Sequence, residues 1–155
     1  MANKNFWLGI LVMVQVFGIT VVGCDNDSTN NNGNGGILTL TDIPLEYNEK
    51  YAYFQASFSN GTILGGQNIN PQTGETTLSK ITNGIVNIPL WVGTNNSIEK
   101  YSGNDTVDNC GVVIFNSSIL NSETANSERI IGIVFQEITF SKGNSTISFD
   151  EKIIQ

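Results

Sequence analysis

Residues 51–58 read Tyr51-Ala52-Tyr53-Phe54-Gln55-Ala56-Ser57-Phe58, and their alternation decides the fold class. Successive side chains of an extended strand point to opposite faces. Ala52, Phe54, Ala56 and Phe58 therefore form one apolar row, and Tyr51, Tyr53, Gln55 and Ser57 form a mixed row expected to face outward. Residues 85–92 behave alike, with Val86, Ile88, Leu90 and Val92 lining the core and Trp91 on the opposite side. Pro89 cannot donate a ladder hydrogen bond, which predicts a sheet edge or a bulge at that strand.

Working outward from these two segments, short runs rich in Ile, Val, Thr, Phe and Tyr alternate with Asn-Gly, Pro and Ser clusters from Ile37 onward. That is the signature of an antiparallel all-β domain. Strands are expected at 37–41, 51–59, 76–80, 85–91, 98–101, 112–116, 129–139 and 146–149. The 129–139 run is apolar on both faces through Phe135 and reads as a central strand. It leads through Phe140-Ser141-Lys142-Gly143-Asn144 into a closing hairpin, where Gly143 relieves a tight turn. No stretch shows sustained helical periodicity. The expected architecture over residues 37–155 is an antiparallel β-sandwich of the immunoglobulin or transthyretin kind, with about seven to nine strands, and a small barrel is the second choice.

The first 36 residues have a different composition. Residues 1–5 are short and polar with one positive side chain, Lys4, and residues 6–22 form an almost uninterrupted apolar run ending in small residues. This is the three-part layout of an export signal. A retained membrane helix is the alternative, since about 20 apolar residues span a bilayer. Val21-Val22-Gly23-Cys24 favours the signal, because it resembles the lipobox of bacterial lipoproteins: an aliphatic residue, a small or aliphatic residue, Gly or Ala, then Cys. The family more often has Leu where this chain has Val21.

The resemblance implies removal of residues 1–23 and lipidation of Cys24. Stable anchoring takes two acyl chains, which a diacylglycerol group supplies, so the mature chain is expected to be anchored without spanning. Asp25 resembles the inner-membrane retention signal of enterobacterial lipoproteins; other groups sort differently, and outer membrane or cell surface is the favoured location in the envelope. Residues 25–36, DNDSTNNNGNGG, contain no apolar side chain and read as a disordered, flexible tether. A Gly-rich coil of that length reaches on the order of 20 Å.

The signal KNFWLGILVMVQVFGITVVGC, the segments Leu38-Thr39-Leu40-Thr41-Asp42-Ile43-Pro44, Asn83-Gly84-Ile85-Val86-Asn87-Ile88-Pro89-Leu90-Trp91 and Tyr101-Ser102-Gly103-Asn104-Asp105 together resemble the small lipoproteins of treponemes. That likeness speaks to location and transfers no catalytic residue.

Composition narrows the function classes. Lys4 lies in the signal while all fourteen acidic residues follow it, so the mature chain is one unit more negative than the −7 of the full sequence. Without clustered Lys and Arg, counterion release gives no hold on nucleic acid. The absence of histidine removes the commonest general base, the commonest zinc ligand and the middle member of a Ser-His-Asp triad. With Cys24 committed to lipid, Cys110 has no disulfide partner and is expected as a buried, inert thiol.

Four features invite chemistry. Ser102-Gly103-Asn104-Asp105-Thr106-Val107-Asp108-Asn109 gathers oxygen ligands suited to hard cations, but its spacing departs from an EF-hand, so a solvated turn is the expectation. Glu46 with Glu49, and Glu123 with Glu128, are nominal carboxylate pairs for glycoside hydrolysis. Trp91, Tyr51, Tyr53 and Tyr101 are candidate partner-binding residues, an aromatic platform for a carbohydrate or a protein; Trp91 also suits simple packing. No cofactor, metal site or catalytic residue is expected. The reading is a non-enzymatic binding or envelope-surface module. A periplasmic accessory subunit docking another envelope protein is the alternative, with a carboxylate-only hydrolase below both.

Overall fold

The computed structural model describes residues 35–154, apart from 71, 74, 95 and 96. The expected signal, Cys24 and the tether up to residue 34 lie outside the described residues.

The chain is all-β. Its strands are β1 (Ile37–Thr41), β2 (Tyr51–Ser57), β3 (Ile63–Gly66), β4 (Asn68–Ile69), β5 (Thr76–Thr77), β6 (Ser79–Lys80), β7 (Val86–Thr94), β8 (Ser97–Lys100), β9 (Thr106–Val107), β10 (Cys110–Phe115), β11 (Arg129–Phe135), β12 (Ile138–Thr139), β13 (Ser145–Ser148) and β14 (Lys152–Ile154). One short helix, α1 (Thr124–Ser127), sits in the β10–β11 connection. Ten strands form one sheet in the order β13-β1-β7-β3-β2-β10-β11-β14, with β6 also on β2 and β8 also on β7; β9 with β12, and β4 with β5, form two small ladders.

The sheet curls so that strands far apart in this order share one core. Leu38 and Leu40 of β1, Phe54 of β2, Ile88 and Leu90 of β7, Ile114 of β10 and Phe135 of β11 are each at most 1 % exposed and belong to a single cluster. Burying such side chains contributes roughly 1.5–3 kcal/mol each. The alternation in β2 and β7 therefore places their inner rows as expected.

Several expectations are corrected. The sheet is mixed: β1 runs parallel to β13, with Leu38 opposite Ser145. β3, absent from the sequence reading, is an interior strand between β2 and β7. The long strand over 129–139 breaks after Phe135, because Gln136 and Glu137 are exposed and the chain turns away to pair Ile138–Thr139 with β9. The outer row of β2 is not solvated either, since Tyr53 packs with Leu78, Val113 and Phe115 in a second, smaller core. Pro89 lies inside the sheet, where β7 passes from pairing with β1 to pairing with β3.

Two tight turns organise the loops by the same device. Asn83-Gly84 has φ of 52° and 72°, and Lys142-Gly143 has φ of 49° and 79°, the two left-handed residues of a type I′ turn. Each turn is closed by a bridge, Thr82 to Ile85 and Ser141 to Asn144. Each also holds a distant loop, the one before β2 and the one before β9 respectively. Gly84 N–H donates to Asn48 Oδ1 at 3.0 Å, and Lys142 N–H donates to Asn104 Oδ1 at 2.7 Å. Just before the turns, Ile81 N–H donates to Lys50 O and Phe140 N–H to Asp105 O.

Candidate functional site

The four aromatic candidates do not share one surface. Tyr101 is 4 % exposed and belongs to the main core, with its ring edge-on to Phe140 at 5.4 Å. Its hydroxyl donates to Asp105 Oδ2 at 2.8 Å; burial first, and then Asp105, push its pKa well above the usual phenol range. Tyr53 is 1 % exposed and donates to Gln55 Oε1 at 3.3 Å, while burial raises its pKa strongly. Tyr51 and Trp91 are half-buried. Tyr51 lies across from Lys80 and Phe115, in a different part of the face from Trp91.

The other features resolve into structural contacts. In the 102–109 loop, Asn104 Oδ1 accepts from Lys142, Asp105 from Tyr101, and Asp108 from the Asn109 amide. Among the described residues no three His, Cys, Asp or Glu side chains gather as metal ligands would. Glu49 pairs with Lys80, and Glu123 and Glu128 bracket α1. Cys110 is fully buried, with Sγ 3.7 Å from Val107 O and 3.8 Å from Phe135 O. Burial, then Asp108, pushes its thiol up to about 12.

What the fold does assemble is a polar seam on the outer face of β7, β3 and β2. Leu90 N–H bonds to Gly36 O, so in an alternating ladder residue 89 faces the other neighbour. There Gln67 N–H donates to Pro89 O at 3.1 Å, and proline has no amide hydrogen to return. Trp91 supplies it: its indole Nε1 donates to Gln67 O at 2.8 Å. The indole thereby completes the backbone pairing at the one position where the sequence broke it.

The same seam is a gap in the ladder. On that edge of β2, β3 pairs with residues 54–57 and β6 with residues 51–52, which leaves Tyr53 between them. A Cβ at Gly66 would meet Phe54 Cβ and Ile88 Cγ2 in the main core, so the next side chain, Gln67, enters the outer face. Among the described residues, the buried polar ones are Gln55, Gln67 and Ser79, at 5 %, 3 % and 6 % exposure; Gln55 and Gln67 lie on the outer face beside this gap, while Ser79, paired with Ala52, lies on the core side. Asn68 Nδ2 reaches Ser79 Oγ at 3.4 Å. Gln67 Nε2, however, has no hydrogen-bond partner in the protein. An unpaired buried donor costs about 1–3 kcal/mol, and native structures contain few of them.

Sequence reasoning singled out Trp91 but not Gln67. The signal was available in part: a proline within an apolar strand orphans a carbonyl on the facing strand, and a tryptophan two residues on can reach it. Compared with protein families, curated proteins and solved structures, the chain has no match.

Proposed function

We propose that the chain is a bacterial envelope lipoprotein, tethered through lipid on Cys24, whose β-domain is a non-enzymatic binding module. The binding reading rests on Gln67 Nε2, a donor 3 % exposed and unpartnered, set beside a half-buried tryptophan. A donor left open at a folding cost is what a recognition site supplies to an incoming acceptor. The anchor reading rests on residues 1–24 and on the entry of the chain into the sheet at Gly36, whose N–H donates to Tyr101 O at 2.7 Å. Between the lipobox cysteine and that point lie only Asn, Gly, Ser, Thr and Asp, a composition suited to a spacer.

Intact mass of the protein purified from its host's membranes, beside a Cys24→Ala variant, tests the anchor. A mass starting at Cys24 plus acyl chains, lost in the variant, supports it; an unprocessed chain without lipid overturns it. Surface-protease sensitivity on the same cells separates display at the cell surface from a periplasmic position.

A further inference from the structure

The seam on β2 has a composition that selects a ligand class. Its named polar groups are the Gln67 and Gln55 amides, the Tyr53 hydroxyl and the Trp91 indole. A hydroxyl group both accepts from an amide N–H and donates to an amide oxygen, and Lys100, opposite Trp91 on β8, adds a cation at the rim that a hydroxyl can also accept from. An indole face adds the flat apolar surface against which the C–H face of a sugar ring packs.

We propose that the seam between β3 and β6 on β2 binds a hydroxyl-rich ligand, a saccharide, which accepts a hydrogen bond from Gln67 Nε2 and packs on Trp91. This deepens the binding-module reading and rests on it. The route to the site is local. The chain leaves the sheet at Gln67, runs through the β4–β5 hairpin and returns at Ser79, so the hairpin alone brackets the gap. Its own ladder is two residue pairs, Asn68 with Thr77 and Ile69 with Thr76; Asn68 adds the 3.4 Å contact to Ser79 noted above, and the return leg is anchored at Leu78, whose N–H donates to Ser118 O. A segment with so few ladder bonds opens locally at far lower cost than the core strands.

The test uses the ¹⁵N-labelled full chain in detergent micelles, titrated separately with glucose, galactose and N-acetylglucosamine. Saturable shifts of the Gln67 side-chain amide and the Trp91 indole N–H are expected with at least one sugar, while the Asn144 side-chain amide stays fixed. Gln67→Met keeps the length of the side chain and removes the donor, and it is expected to weaken binding at least tenfold. Should Gln67→Met fail to fold, a nuclear Overhauser contact from the wild-type Gln67 Nε2 hydrogens to sugar protons carries the same information. Silence with all three sugars overturns the proposal. So does full binding by Gln67→Met, sugar shifts with no such contact in the wild type, or a Gln67 amide bound to one long-lived internal water and indifferent to sugar. The intact-mass experiment reads Cys24 only, so failure here is distinguishable from failure of the anchor reading.

Discussion

Gly36 and Gly143 lie so close that a Cβ added to Gly36 would overlap the carbonyl oxygen of Gly143. The contact brings the chain entering the sheet against the turn at Lys142-Gly143, and only backbone fits between them. Gly36→Ala is expected to destabilise the domain by about 3 kcal/mol or more, the range of overpacking against backbone that cannot move aside. Gly61, at φ +83° with nothing within 4 Å of a built Cβ, provides the comparison: Gly61→Ala meets backbone strain alone, about 1–2 kcal/mol. Urea midpoints of the two variants check the order.

Trp91→Phe keeps an aromatic ring and removes the indole N–H. Gln67 O then loses the donor that replaced the missing one of Pro89, and the expected loss is about 1–3 kcal/mol. Equilibrium denaturation measures it. A loss below about 0.5 kcal/mol would mean that water serves the carbonyl as well as the indole does.

Alkali should unfold the domain. The folded-state pKa values of Tyr53 and Tyr101 are raised by burial, so each binds its proton more tightly in the folded state than in the unfolded one. Their contribution is fully present below the unfolded phenol value, about 10, and is lost as pH rises toward their folded values. Denaturant midpoints should therefore fall from pH 9.5 to 11.5, and Tyr53→Phe should flatten that fall.

Cys110 should resist alkylation in the folded protein. With its pKa pushed up to about 12, the thiolate is a minute fraction at pH 8, and the thiolate is the reacting form. Iodoacetamide at pH 8 is expected to leave Cys110 unmodified for hours in buffer and to label it within minutes in 6 M guanidinium. Rapid labelling of the native chain would place the thiol outside the core.

The parts of the fold readable in advance are those where alternation meets a single core. β1, β2 and the first half of β7 follow their apolar rows because Leu38, Leu40, Phe54 and Ile88 all face one cluster. Alternation was silent where the second face is also buried. Tyr53 and Gln55 look like a solvent row until Leu78 and the β10–β11 connection pack over part of it. β3 escaped notice because Ile63-Leu64-Gly65-Gly66 has two glycines and low strand propensity; its place comes from ladders to β2 and β7 on both sides. At the candidate site, Trp91 was legible as an unusual side chain opposite the core row. Gln67 was not, because its significance depends on which carbonyl Pro89 faces across the sheet, a fact of register rather than of composition.

The parallel pairing of β1 with β13 has a consequence in time. Ile37 N–H bonds to Asn144 Oδ1 across 107 residues of chain, and among the described residues β13 is the neighbour of β1 on that side. Long-range closure of this kind is entropically slow. β1 cannot be seated on both sides until β13 has been made. Until then β1, with Leu38 and Leu40, can pair on one side only, with β7, and β13 closes the other.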